Sequence, residues 1–473
     1  MKSNRKSLWS VLALIAAVTA VMAYVAADDS VMAQRIAVRP TAEGPVSVQA
    51  DLAQDKVLSG SDGKVSVALT LTAAEVKTLT HPAVQHVDMV IVLDRSGSMQ
   101  GQKITDARQA VLQLIDRLAV DDRLALVTYA NGVDTLFPLA PMHDHYRRKA
   151  KAVVARIYSG GGTNLGGGLQ RGIQTLMQTP ADGRQRKVIL ISDGLANHGV
   201  TDPGALGNMA ADAVEHNFSV SAVGVGYDFN EVVMTTIADH GAGRYYFLEN
   251  PQAFAQVFEK EFQLTRNVAA SALELRIPLK DGVRLIHAGG YPIENKDGYA
   301  VIHPGDLLSG QQRKLFLTYK VPTDRERDFN LGVYQVRYMH NGQQEQMDGR
   351  GNLALACIMD EKAVTASIDG NVWSDQVVQE DYNQLKEEVA TAIRKGEKDR
   401  AMLQIKAYEE RTRTVNATVG SAKVADNLES DVQSLRQSVE DTFAGAPAAV
   451  AEKKKQRSKA LQYESYQIRR DKK

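Results

Sequence analysis

The sequence predicts a multi-domain chain: an α/β domain with a mostly parallel central sheet and helices on both faces, a β-sandwich domain, and a C-terminal helical region. Three observations carry this reading. Between residues 86 and 263, nearly continuous apolar runs such as 87–93 alternate with segments of helical spacing. Residues 268–370 contain strands of period two. From about 376 to 444, apolar positions step by three or four.

At 473 residues the chain exceeds one ordinary domain, so two to four units are expected. Hydrophobic residues make up 44% and charged residues 24%, the balance of a globular protein rather than a disordered or polytopic membrane one. Lys plus Arg equals Asp plus Glu at 56 each, which gives no electrostatic ground for a nucleic-acid partner. One cysteine, Cys357, excludes an intrachain disulfide framework and a thiolate-built zinc site. Its apolar neighbours predict a buried, inert thiol.

Residues 1–33 set the compartment. Lys2, Arg5 and Lys6 precede an apolar stretch from Leu8 to about Ala27, and Asp28 and Asp29 follow it. This is the pattern of a secretory signal peptide. The stretch also approaches the roughly 20 residues that span a bilayer, so an uncleaved membrane anchor stays open. Under either reading the remainder is exported, to the periplasm, the cell surface or the medium.

Residues 34–85 alternate as strands at 46–50 and 65–71, joined by a turn at 59–63. They are expected to belong to the β-sandwich of residues 264–372, which would make the α/β domain, residues 86–263, an insertion. Within that domain, strands are expected at 87–93, 124–129, 188–191, 218–225 and 245–248. Helices are expected after the first strand and near 145–157, 164–178, 203–216, 230–239 and 251–263. In the sandwich, strands are expected at 273–277, 313–319 and 333–338, with hairpin turns at Asp281-Gly282 and Asn341-Gly342. Residues 373–444 read as a helical hairpin or bundle broken at Lys395-Gly396, with a coiled-coil oligomer through these helices as the sharper alternative. Residues 445–473 open with Gly445-Ala446-Pro447, turn basic at Lys453-Lys454-Lys455, and are expected to be a flexible, solvated tail.

The chemistry lies at predicted strand ends. The first strand runs into Asp94-Arg95-Ser96-Gly97-Ser98, a carboxylate and two hydroxyls in one tight loop. Such hard oxygen donors suit magnesium, calcium or manganese. Alone, this spacing is a weak signal. It is strengthened by the glycine-rich loop 159–165, which offers the hydroxyl of Thr163, and by Ser192-Asp193-Gly194 at the end of another strand. Open parallel sheets place ligands at the carboxyl ends of their strands, so three loops can converge on one ion.

These five positions, Asp94, Ser96, Ser98, Thr163 and Asp193, resemble the metal-ion-dependent adhesion site of the von Willebrand factor A family. The apolar strand, the Gly-Gly-Thr-Asn-Leu loop and the Ser-Asp-Gly strand end follow the family's order. They look closest to the inter-alpha-trypsin-inhibitor and calcium-activated-chloride-channel-like branch, which includes bacterial exported members. The resemblance covers about residues 86–263 and implies a Rossmann-like α/β fold. It further implies direct contact of Ser96 and Ser98 with the metal, Thr163 directly or through water, and Asp94 and Asp193 mostly through water. Mg2+ is the foremost ion, with Ca2+ and Mn2+ as the others.

The protein supplies too few direct ligands for an octahedron, so an Asp or Glu of a protein partner can complete it. No histidine or glutamate adjoins the motif to act as a base, and the serines lie outside a Gly-x-Ser-x-Gly elbow. The expectation is therefore a non-catalytic adhesion or scaffolding protein. Its rivals are an accessory subunit that recruits an exported enzyme or transporter, and a hydrolase with a site in residues 268–370. Membrane association would run through the N-terminal segment.

Overall fold

The computed structural model describes residues 44–75, 86–250, 253–349 and 353–470. The expected leader or anchor at 1–33 lies outside them. Apolar residues at every second position, Val65 to Leu71, form β3 (Lys64–Ala73), which follows β1 (Val46–Leu52) and the short β2 (Lys56–Leu58).

The next stretch is a six-stranded sheet. Its strands are β4 (Val87–Asp94), β5 (Arg123–Tyr129), β6 (Val133–Pro141), β7 (Gln185–Ser192), β8 (Ser219–Val225) and β9 (Ala242–Leu248), in the order β6-β5-β4-β7-β8-β9. Only the β5–β6 pair is antiparallel. β6 was not expected. It carries Pro138 and Pro141, and Asp134, Thr135 and Pro138 are exposed, as an edge strand tolerates. β4 is buried along its whole length. Val87, Met89, Ile91 and Leu93 face α1 (Gln102–Arg117), α2 (Asp144–Val154) and α6 (Phe254–Arg266). Val90 and Val92 face α3 (Leu165–Met177), α4 (Pro203–Glu215) and α5 (Glu231–His240). Each such side chain taken fully from water contributes roughly 1.5–3 kcal/mol. The ladders to β5 and β7 and the close packing of both faces fix the register of β4, and with it where Asp94 emerges.

The chain then returns to β structure. β10 (Val268–Pro278), β11 (Arg284–Ala288), β12 (Glu294–Lys296), β13 (Tyr299–Ile302), β14 (Leu307–Leu308) and β15 (Gln312–Lys320) come first. β16 (Arg327–Asn330), β17 (Gln335–His340), β18 (Gln343–Asp348) and β19 (Ala354–Ile358) follow. β3 pairs with β15 from Lys64↔Lys320 to Thr72↔Gln312, so strands on either side of the six-stranded sheet in sequence share the sheet β1-β3-β15-β11. A second sheet runs β12-β13-β10-β17-β18, and β16-β19-β2 form a third. All three bury side chains in one apolar core, which includes Cys357. Asn341-Gly342, both at positive φ, close the β17–β18 hairpin. Asp281-Gly282 also take positive φ, but they carry the chain from β10 to β11, which lie in different sheets, so this turn is no hairpin.

The remainder is helical: α7 (Glu361–Ala366), α8 (Gly370–Gln376), α9 (Tyr382–Lys395), α10 (Lys398–Val419), α11 (Ala422–Asp426), α12 (Val432–Thr442) and α13 (Pro447–Arg470). The break at Gly396 is a left-handed cap ending α9. Val389, Ile393, Ile405, Val424, Leu428, Val432 and Val439 bury against one another within the chain.

The expected basic tail is a helix. α13 spans 24 residues and packs on α9 and β9. Its lysines and arginines mask a second face on which Ser458, Lys459, Leu461, Ser465 and Tyr466 are buried. The Tyr466 hydroxyl accepts the backbone N–H of Tyr245 at 3.0 Å, and the two rings meet edge to face at 5.5 Å. Lys459 is buried against Glu231 (2.6 Å), which also receives Arg394 of α9 at 2.5 Å. Replacing Tyr466→Ala should lower unfolding stability by about 3 kcal/mol, the cost of emptying a buried aromatic site. Urea denaturation checks this, since a solvated tail would leave the midpoint unmoved.

Candidate metal centre

The strand order places the site. β4 leads to β5 on one side and pairs with β7 on the other, so the sheet's topological switch point lies between the carboxyl ends of β4 and β7. Leu93 pairs with Ile191, which sets Asp94 beside Ser192 and Asp193 one residue beyond.

Both carboxylates are fully buried. Asp94 accepts the N–H of Ser96 at 2.7 Å and the hydroxyl of Ser192 at 2.9 Å. The Ser98 hydroxyl donates to Asp193 at 2.7 Å and lies 3.0 Å from the Ser96 hydroxyl. A chain of polar oxygens therefore runs from one strand end to the other. Burial pushes the Asp94 carboxyl up to about 6, against the hydrogen bonds from Ser96 and Ser192 and with help from the charge of Asp193. Burial thus makes the ionised form of Asp94 costlier than that of a solvated carboxylate, a cost that an arriving positive charge offsets.

The third loop is stitched to the first. The Gly97 N–H donates to the Gly161 carbonyl (3.0 Å), and the Gly160 N–H to the Arg95 carbonyl (2.7 Å). Gly161 has φ +88°, a conformation that glycine enters at least cost. Asn131 and Asn197 take the N–H groups of Gly162 (2.7 Å) and Thr163 (2.8 Å) on their side-chain oxygens. Asn164 caps α3 through the Gly167 N–H. Together they hold Thr163, 3% exposed, at the site's edge. A methyl group on Gly194 would stand 3.1 Å from the Ser98 hydroxyl and 3.9 Å from that of Thr163, so glycine there keeps the cradle between them open.

The structure thus brings Asp94, Ser96, Ser98, Thr163 and Asp193 to one place. Among the described residues, no group of three or more His, Cys, Asp and Glu could hold an ion, so hydroxyls must complete any shell here. The donor set is all oxygen, two carboxylates plus alcohols, and it fits a hard divalent cation. The site opens through Ser98 into a hollow of about 450 Å³, walled by Thr163, Gly194, Leu195, Asn197, Tyr227, Asp228 and Lys455 of α13.

Sequence reasoning did not single out several supporting residues. Lys103, in the first turn of α1, places its ammonium 2.5 Å from Asp193. Tyr129 is buried under the site and donates to the Ile191 carbonyl at 2.7 Å. Asn131 and Asn197 hold the glycine loop. In sequence these are ordinary polar residues, and a lysine opening an amphipathic helix looks like any solvated charge.

A doubly wound sheet with acid and hydroxyl groups gathered at its switch point defines a class of ion-site α/β domains. Residues 88–260 match the von Willebrand factor type A domain, and the chain carries a domain of that family. It is 28% identical over 265 residues to an uncharacterized protein of Synechocystis sp., covering 53% of this chain and 61% of that relative. It is 26% identical over 197 residues to the human inter-alpha-trypsin inhibitor heavy chain H4, covering 40% of this chain and 21% of that protein. The chain thus spans less than two thirds of either relative. Among solved structures, a von Willebrand factor type A protein from Catenulispora acidiphila superposes with a TM-score of 0.66 at 19% identity, over 89% of this chain and 96% of that one. The likeness of fold therefore extends well past the α/β domain.

α3 can lie close to the sheet because it carries glycine on its inner face. A methyl on Gly172 would come within 2.4 Å of Val92, and one on Gly168 within 2.5 Å of the Tyr129 ring. Gly172→Ala should therefore cost about 1–3 kcal/mol through overpacking. It should also displace the Thr163 loop at the start of α3, which denaturation and amide-exchange measurements can follow separately.

Proposed function

We propose that this chain is an exported, non-catalytic interaction protein that binds a divalent cation, foremost Mg2+, through Asp94, Ser96, Ser98, Thr163 and Asp193. The ion's chemistry is to hold an Asp or Glu carboxylate of a protein partner as an additional oxygen ligand. The observation that carries this reading is the continuous set of oxygens from Asp94 through Ser96 and Ser98 to Asp193, opening beside Thr163 into a hollow. In this reading Ser96 and Ser98 contact the ion directly and Thr163 joins them directly or through water.

Leu195 is 58% exposed at the mouth, an apolar surface beside the oxygens that a protein partner can cover. The N-terminal segment supports export by its sequence pattern, and Mn2+ and Ca2+ suit the same donors. An accessory role, in which the domain recruits an exported enzyme or transporter, uses this same surface and differs only in the partner.

Titration calorimetry with MgCl2 or MnCl2 on the purified chain should show one site. Asp94→Ala and Ser98→Ala should each weaken it about 10- to 100-fold, the range for removing a shell residue, while circular dichroism stays unchanged. Unaltered Mn2+ binding in both variants would remove the site assignment. Capture of a carboxylate-bearing partner should then be lost on adding a chelator.

A further inference from the structure

We infer that Lys103 competes with the metal for Asp193 and fixes the charge of the loaded site, so that it accepts one carboxylate. This rests on the metal reading above and adds a residue outside the five-position motif.

Both oxygens of Asp193 are engaged: Oδ1 by the Ser98 hydroxyl at 2.7 Å and Oδ2 by the Lys103 ammonium at 2.5 Å. Asp193 is fully buried, whereas the Lys103 side chain is 29% exposed and can reach solvent on its flexible stem. Gly226 gives that stem room, since even a methyl there would stand 3.9 Å from Lys103 Cε and Nζ. Other charges nearby are paired with one another: Arg95 with Asp134 at 3.0 Å, and Lys455 with Asp228 at 3.2 Å.

The balance therefore falls to Asp94, Asp193 and Lys103. With both carboxylates ionised, a divalent cation alone would leave the site neutral. With the Lys103 ammonium it carries one net positive charge, which a single incoming carboxylate cancels. Two cations at a buried centre also repel, and repulsion is poorly screened away from water. Lys103 thus lowers metal affinity and raises the pull on the acidic ligand. Its effect is opposite in sign to that of a metal ligand.

The test compares the full chain with Lys103→Met and Lys103→Gln, both of which remove the charge while keeping much of the stem. Calorimetry with MnCl2 should show tighter binding in both variants, by about tenfold. Acetate, the smallest carboxylate probe, should compete less well for a position on bound Mn2+, read by water-proton relaxation. Lys103→Arg should remain near the parent in both measurements. Equal or weaker Mn2+ binding on loss of the charge would overturn the role of Lys103 and leave the metal site standing. Absence of Mn2+ binding in the parent and in every variant would sink both. Unfolding of one charge-removing variant, seen by circular dichroism, leaves the other to decide.

Discussion

Two carboxylates without access to water, Asp94 and Asp193, stand at the ends of adjacent strands, and much of the surrounding structure answers the cost of putting them there. A buried charge is tolerated when hydrogen bonds and an opposite charge surround it. Ser192 and the Ser96 N–H serve Asp94, and Ser98 and Lys103 serve Asp193. Among the described residues no cation pairs with Asp94, and burial pushes its carboxyl up to about 6. A fold that holds an acid in this state is pre-arranged for a hard cation, because the arriving charge removes the desolvation penalty that the protein already bears.

That arrangement depends on rigidity reaching the sheet edge from several directions. β4 is locked by helices on both faces, and the glycine loop is tied to the first loop through Gly97, Gly160 and two asparagines. The loop after β8 is held from outside the α/β domain. Lys459 of α13 bonds the Phe229 carbonyl at 2.7 Å and Glu231 at 2.6 Å, while Lys455 pairs with Asp228. The C-terminal helix thus forms part of the wall of the hollow. The α/β domain in turn sits between two stretches of chain that meet as β3 and β15, so its ends are anchored in one sheet.

The legible parts of the sequence were those with strong periodicity or a motif. The apolar runs at 87–93, 124–129 and 188–191 are strands because they are buried on both faces, and continuous burial leaves an unambiguous apolar run. The five oxygen-bearing residues were legible because glycine and hydroxyl residues at strand ends break that pattern sharply. Three features were not. β6 is a half-exposed edge strand with two prolines, so it carries neither signal. α13 buries tyrosine, serine and a lysine rather than leucine and valine, and its face is completed by Glu231 from more than two hundred residues away. Lys103 acquires its meaning only from Asp193, which the fold brings to it.

Anomalous diffraction from crystals of the chain grown with Mn2+ tests the shared-ion site most directly. One manganese peak is expected, bounded by the Ser96, Ser98 and Thr163 hydroxyls, with oxygen ligands at about 2.0–2.3 Å and its open face toward the hollow beside Leu195. A manganese-containing crystal with no peak there, or with the ion bound elsewhere on the chain, would contradict the shared site.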